Sequence, residues 1–399
     1  MYRAASLLSR TSRRQITTLA IETSCDDTSV ALLTNDKSTT EVHFHKTLTS
    51  DNSAYGGIHP LVAQSSHQRL LAPLIREASL LLPKLPPLDM VAATRGPGMY
   101  SNLSVGLSIA KGLAVAWNVP LIGVHHMQAH ALTPRLAASL QNKPTPSFPF
   151  MTLLVSGGHT LLLDTKNTVD HFLIAETKDI AIGDCLDKCA RAILPSEALK
   201  STVPYGRALE EFSALNSESY KPPKSRSEEI TPRESEWDWA LPPPLKSNRR
   251  LEFSFSGLLS SVERIVFTSN EISLRERRHL ACEVQRVAFE HLLSRILIRL
   301  EAGVDTPKAL VVSGGVAANK VLKTVLRRGL DVRGYANVEL VFPPMELCGD
   351  NALMIAWTAV EMWELGFVSE LGIEPFRKWP LDGMVAGGGV LGVDGWIGR

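Results

Sequence analysis

Three segments in the first half of this chain have counterparts, in the same order, in the second half. LAIETSCDDTSVALL, from Leu19, and LLVSGGHTLLL, from Leu153, each read as strand, polar loop, strand. VAATRGPG, from Val91, and LVVSGGVAAN, from Leu310, each read as a strand, a glycine loop and a helix start. PLIGVHHMQAH, from Pro120, and ELVFPPMELCGD, from Glu339, each read as a strand running into a helix. One duplicated α/β unit accounts for all three matches and sets two related halves around a shared cleft.

The length agrees, because 399 residues exceed what a single core usually supports. The reading gives a leader at 1–17, a first lobe at 18–147 and a second lobe at 148–399. Residues 216–250, rich in Ser, Glu, Lys and Pro and without apolar periodicity, read as an exposed, partly disordered insertion in the second lobe. The leader MYRAASLLSRTSRRQIT holds four arginines and no acid, the composition of an organelle transit peptide. Without those arginines the formal net charge moves from +1 to −3, so any nucleic-acid contact would have to come from a local patch. Arg249, Arg250, Arg277, Arg278, Lys323, Arg327 and Arg328 are its candidates.

No stretch reaches the roughly 20 apolar residues of a membrane span. Five cysteines are too few, and odd in number, for a disulfide scaffold. Cys185 and Cys189 share a helical face but lack a second ligand pair, and read as buried small residues.

The sharpest chemical feature is His126-Met127-Gln128-Ala129-His130. Histidines at i and i+4 lie on one helix face, where both can bind one ion. The duplication sets Cys348-Gly349-Asp350-Asn351 at the matching place in the other half. Two imidazoles and the Asp350 carboxylate leave coordination positions open, as a catalytic metal requires. A metalloprotease helix carries Glu after its first His, and here that position is Met127. Three glycine loops follow apolar strands, at Arg95–Gly98, Val155–Thr160 and Ser313–Val316, and suit a nucleotide phosphate. None of them is a P-loop or a GxGxxG fingerprint. A metallopeptidase and an ATPase or sugar kinase remain open at this level. Met127 argues against the first, and the histidine pair has no place in the second.

The ordered strings IETSCDDTSVAL, TRGPGMYSNLSVGLSIAKGLA, VHHMQAH, LVSGGHT, GDCLDKCA, FSFSGL, SGGVAANKVL and CGDNALMIA resemble the TsaD family of tRNA N6-adenosine threonylcarbamoyltransferases, specifically its stand-alone mitochondrial branch. The resemblance implies an actin-like (ASKHA) fold of two duplicated lobes. It implies transfer of threonylcarbamoyl from threonylcarbamoyl-AMP, supplied by a separate synthetase, to N6 of the adenosine 3′ of the anticodon in tRNA. It also implies one divalent metal ion per subunit, zinc or iron, a homodimer, and residence in the mitochondrial matrix. Position by position, His126, His130 and Asp350 match metal ligands. Leu154, Val155, Ser156, Gly157 and Gly158 match a substrate-binding loop, and Asp187, Gly206 and Asn319 match further substrate contacts. Asp27 and Gln128 stand where Glu is common, and Tyr205-Gly206 replaces a Gly-Gly pair.

Overall fold

The computed structural model describes residues 15–36, 39–52, 55, 58–199, 203–213, 220–268, 272–303 and 306–399. Most of the expected leader lies outside the described residues, but its last two positions belong to the first strand. Thr17 is buried, and its amide donates to Asp89 Oδ2 at 2.9 Å. A boundary after residue 17 would fall inside this strand.

Strands β1 (Ile16–Glu22), β2 (Asp27–Asn35) and β3 (Thr40–Thr49) form an antiparallel meander. Strand β4 (Met90–Gly96) runs parallel to β1, and β5 (Leu121–His125) parallel to β4, giving the order β3-β2-β1-β4-β5. The second half repeats this strand for strand. There β6 (Phe150–Val155), β7 (Thr160–Thr165) and β8 (His171–Glu176) form the meander, while β9 (Ala309–Ser313) and β10 (Glu339–Val341) add in parallel. The order is β8-β7-β6-β9-β10, so the duplication seen in sequence is also present in topology. Near the C-terminus β11 (Phe367–Ser369) and β12 (Trp396–Gly398) extend the first sheet beyond β5.

Parallel strands must be covered on both faces, and the near-continuous apolar runs of β1, β4, β6 and β9 meet that need. Helices α1 (Pro60–Ser79) and α2 (Tyr100–Trp117) cover one face of the first sheet. Helix α3 (His126–Leu140) follows β5 directly. The elements α4 (Ile182–Ile193), α5 (Ser196–Leu199), α6 (Tyr205–Ser213), α7 (Arg226–Ile230), α8 (Ser256–Thr268), α9 (Leu274–Glu301) and α10 (Lys320–Val332) belong to the second half. Of these, α4, α8, α9 and α10 bury their apolar faces in one core with the second sheet. Helix α11 (Ala352–Glu364) packs along α3 and against β1 and β2, while α3 also meets β9. A core containing Ala20, Ile122, Leu132, Phe150, Val311 and Trp357 therefore joins both sheets through this helix pair. The start of α3 and the turn before α11 are brought together by that packing.

Residues 216–219 lie outside the described residues; about half of 220–250 is exposed, as expected, but the segment is anchored to the second lobe at a few buried positions. Tyr220 and Leu241 are buried in the second core, and Trp239 packs against it. Tyr220 Oη donates to Glu290 Oε1 on α9 at 3.1 Å. The guanidinium of Arg295, fully buried on α9, donates to the carbonyls of Arg250 at 2.9 Å and Leu245 at 3.2 Å. The apolar anchors are too widely spaced to make a period, and Arg295 of α9 holds carbonyls of the stretch that follows them. That is why the pattern read as exposed. The candidate RNA cations are also largely engaged: Arg249 pairs with Glu301, Arg277 donates to the Ile193 carbonyl, and Arg327 pairs with Asp331. Cys185 and Cys189 are buried as expected, their sulfurs 4.0 Å apart. Among the described residues no helix is long and apolar enough to cross a membrane.

Candidate active site

Strand β5 ends at His125, which caps α3: its Nδ1 accepts from the amides of Met127 at 3.2 Å and Gln128 at 3.4 Å. Since Nδ1 accepts, the proton sits on Nε2, which donates to the Trp379 carbonyl at 3.0 Å. Burial pushes the His125 pKa down to about 3, which keeps the ring a neutral cap. The cap fixes the first turn of α3 and so the direction of the two histidines that follow.

His126 and His130 lie one turn apart, their Nε2 atoms separated by 3.2 Å. Asp350 Oδ1 is 3.1 Å from His130 Nε2 and 3.4 Å from His126 Nε2. The carboxylate comes from the turn before α11, whereas the sequence pattern places it at the start of the helix itself. Asn351 caps that helix through Oδ1 to the Met354 amide at 3.0 Å, and its amide nitrogen holds the Gly349 carbonyl at 2.9 Å. This turn presents half-buried Asp350 to the two imidazoles, which are buried. Two imidazole nitrogens and a carboxylate oxygen facing one another at hydrogen-bond separation form a donor set that a divalent cation satisfies. Met127 points elsewhere, into the core between the sheets.

One participant was missed in the sequence. Glu22, fully buried at the end of β1, places Oε2 3.3 Å from His126 Nδ1. A carboxylate closing the apolar strand ITTLAIE was the available signal, since buried charges are rarely left without a partner.

Between β6 and β7 the loop of Ser156, Gly157 and Gly158 turns on itself: the Ser156 amide donates to the His159 carbonyl at 2.9 Å, and the His159 amide to Ser156 Oγ at 3.0 Å. Gly157 and Gly158 are exposed, with open space where a Cβ would stand. Leu154 and Val155 are buried in the cores, so only their backbone can reach a ligand. The Ser313–Val316 glycine loop abuts this one. Gly314, at φ +97°, would set a Cβ onto the Val155 carbonyl. His159 reaches solvent at the rim, yet desolvation and then the neighbouring His126 and His130 push its pKa down to about 4. The loop therefore lies within electrostatic reach of the histidine pair.

Asp187 on α4 and Gly206 on α6 are brought together, the Gly206 amide donating to Asp187 Oδ1 at 2.8 Å. Asp187 is half-buried, and desolvation raises its pKa. Asn319 caps α10 through Oδ1 to the Val321 amide at 2.8 Å, while Nδ2 donates to Gln285 Oε1 at 3.1 Å. Its Oδ1 is thus committed to the helix.

The family described as TsaD, tRNA N6-adenosine threonylcarbamoyltransferase, matches residues 41–357, most of the chain. The chain belongs to the TsaD family. A relative from Schizosaccharomyces pombe, described as "tRNA N6-adenosine threonylcarbamoyltransferase, mitochondrial", is 38% identical, covering 97% of this chain and 90% of the relative. One from Zymomonas mobilis, described as a tRNA N6-adenosine threonylcarbamoyltransferase, is 34% identical over 91% of each chain. A Rhizobium meliloti relative of the same description is 36% identical, covering 91% of this chain and 95% of the relative. The TsaD chain is accordingly an acyltransferase acting on tRNA adenosine, and its doubled five-strand sheet is the actin-like architecture expected of it.

Proposed function

We propose that this enzyme transfers threonylcarbamoyl from threonylcarbamoyl-AMP to N6 of the adenosine 3′ of the anticodon in mitochondrial tRNAs. The carrying observation is the convergence of His126, His130 and Asp350 from the two halves of the duplication. These residues would hold one divalent ion, zinc or iron, whose open positions supply Lewis acidity toward the donor's threonyl or carbonyl oxygens. The donor is a mixed anhydride, already activated, so the protein needs no nucleophile of its own. Its work is to position the carbonyl near N6, stabilise charge on oxygen, and let AMP leave. The exposed backbone of Ser156, Gly157 and Gly158, with that of Leu154 and Val155 behind it, suits the phosphate. Asp187, through its free carboxylate oxygen, and the backbone at Gly206 suit the nucleoside, with Asn319 offering its remaining amide proton.

The name of the S. pombe relative and the basic, acid-free residues 1–14 support a mitochondrial matrix location after removal of a leader. Homodimerisation and supply of donor by a separate synthetase rest on the family resemblance. Purified protein incubated with such a synthetase, threonine, bicarbonate, ATP and unmodified tRNA should yield N6-threonylcarbamoyladenosine on nucleoside analysis. Absence of the product while the donor accumulates would overturn the assignment.

A further inference from the structure

We propose that Glu22 is a positioning residue that holds the proton of His126 on Nδ1 and so readies Nε2 to take a cation. Resting on the metal reading above, the inference adds a residue that the ligand set does not contain.

An ionised carboxylate can only accept hydrogen bonds. Glu22 Oε1 accepts from the Ser24 amide at 2.5 Å, and Oε2 accepts from the Thr94 hydroxyl. The remaining capacity of Oε2 faces His126 Nδ1 at 3.3 Å, and Ser24 Oγ stands at the same distance from that nitrogen. With an acceptor-only oxygen beside it, Nδ1 keeps its proton, so the neutral ring that a cation requires carries its lone pair on Nε2. That lone pair points to the place where His130 Nε2 and Asp350 Oδ1 converge. A carboxylate behind a ligating histidine fixes its tautomer and ring orientation and makes it a better base.

The geometry is rigidly built. Glu22 closes β1, which is paired on one side with β2, where Glu22 faces Ser29, and on the other with β4. His130 has no such support, since its buried Nδ1 finds no hydrogen-bond partner among the described residues. The site is therefore asymmetric, with His126 preset by the first sheet and His130 oriented by its helix alone.

Glu22→Gln tests this with nearly unchanged shape. The Ser24 amide requires the carbonyl oxygen of the new side chain, which turns the NH2 group toward His126 Nδ1. Nδ1 must then accept, the proton moves to Nε2, and the ligand lone pair is lost. Zinc affinity of the full chain, measured by competition with a chromophoric chelator, should fall about 10–100-fold in Glu22→Gln. Thr94→Val removes the other hydrogen bond to Oε2 without touching the imidazole, and should leave affinity nearly unchanged. Imidazole 15N NMR of the zinc-loaded wild type should show His126 protonated at Nδ1 and bound through Nε2, which decides the matter even if Glu22→Gln fails to fold. Ligation through Nδ1, wild-type zinc affinity in folded Glu22→Gln, or an equal loss in Thr94→Val would overturn the role of Glu22. Wild-type protein that takes up no zinc, iron or other divalent ion would instead remove the metal reading, and this inference with it.

Discussion

His130 Nε2 lies 3.1 Å from Asp350 Oδ1 although 220 positions separate the two residues. One begins from the first half of the duplication, on α3, and the other from the second half, before α11. The pairing of those two helices between the sheets is what makes the contact. His126→Ala, His130→Ala and Asp350→Ala should each lower metal occupancy and transfer together, by at least the roughly 10–100-fold that loss of an outer hydrogen-bond partner costs. Their tRNA affinity should stay near wild type, because RNA binding rests on surface cations. Metal analysis, nucleoside analysis and a tRNA titration on the same three proteins check this.

Met127→Glu should not create a peptidase. Met127 is buried in the core joining the two sheets, so the new carboxyl would enter apolar surroundings and face away from the histidine pair. The variant should lose several kcal/mol of stability. Thermal unfolding, with a proteolysis assay on glycoprotein substrates, measures both outcomes.

The anchors within residues 220–250 should contribute to the stability of the second lobe. Leu241→Ala should cost about 2–5 kcal/mol, as for other fully buried leucines. Deleting Tyr220 to Pro244 should weaken cooperative unfolding of this lobe, since it removes Tyr220 and Leu241 from the core and takes the Tyr220 and Arg233 partners from Glu290 on α9. Denaturant melts of the two variants report this directly.

Asp179 gathers the FSFSG loop, accepting from the hydroxyls of Ser254 and Ser256, each at 2.6 Å, and from the Phe255 amide at 2.9 Å. Burial alone would raise its pKa, but these hydrogen bonds outweigh it and bring the carboxyl down to about 2. The folded value lies below the unfolded one of roughly 3.9. The stabilisation is therefore complete above about pH 4 and is lost as pH falls toward 2. Asp179→Asn should flatten that part of the acid limb, as followed by thermal melts between about pH 2 and 5.

Much of the architecture was legible because periodicity and glycine punctuation are local properties. The strands around Leu19, Met90 and Leu310, and the helix start at His126, follow from them. The cluster of His126, His130 and Asp350 was legible because the duplication predicted where Asp350 would stand. Glu22 escaped, since its role depends on a contact with a residue 104 positions away. In residues 220–250 the anchors Tyr220 and Leu241 were hidden because they are isolated apolar positions in a stretch that is otherwise largely polar and exposed. Asn319 also has a local role that the sequence did not show, capping α10 and meeting Gln285.

The most direct test of the account is single-turnover transfer from preformed threonylcarbamoyl-AMP to unmodified tRNA, without ATP, by wild-type, metal-stripped and re-metallated enzyme. The account predicts transfer by the first, loss in the second and recovery in the third, with no recovery in His130→Ala. Full transfer by the metal-stripped enzyme, or by the Asp350→Ala variant, would contradict it.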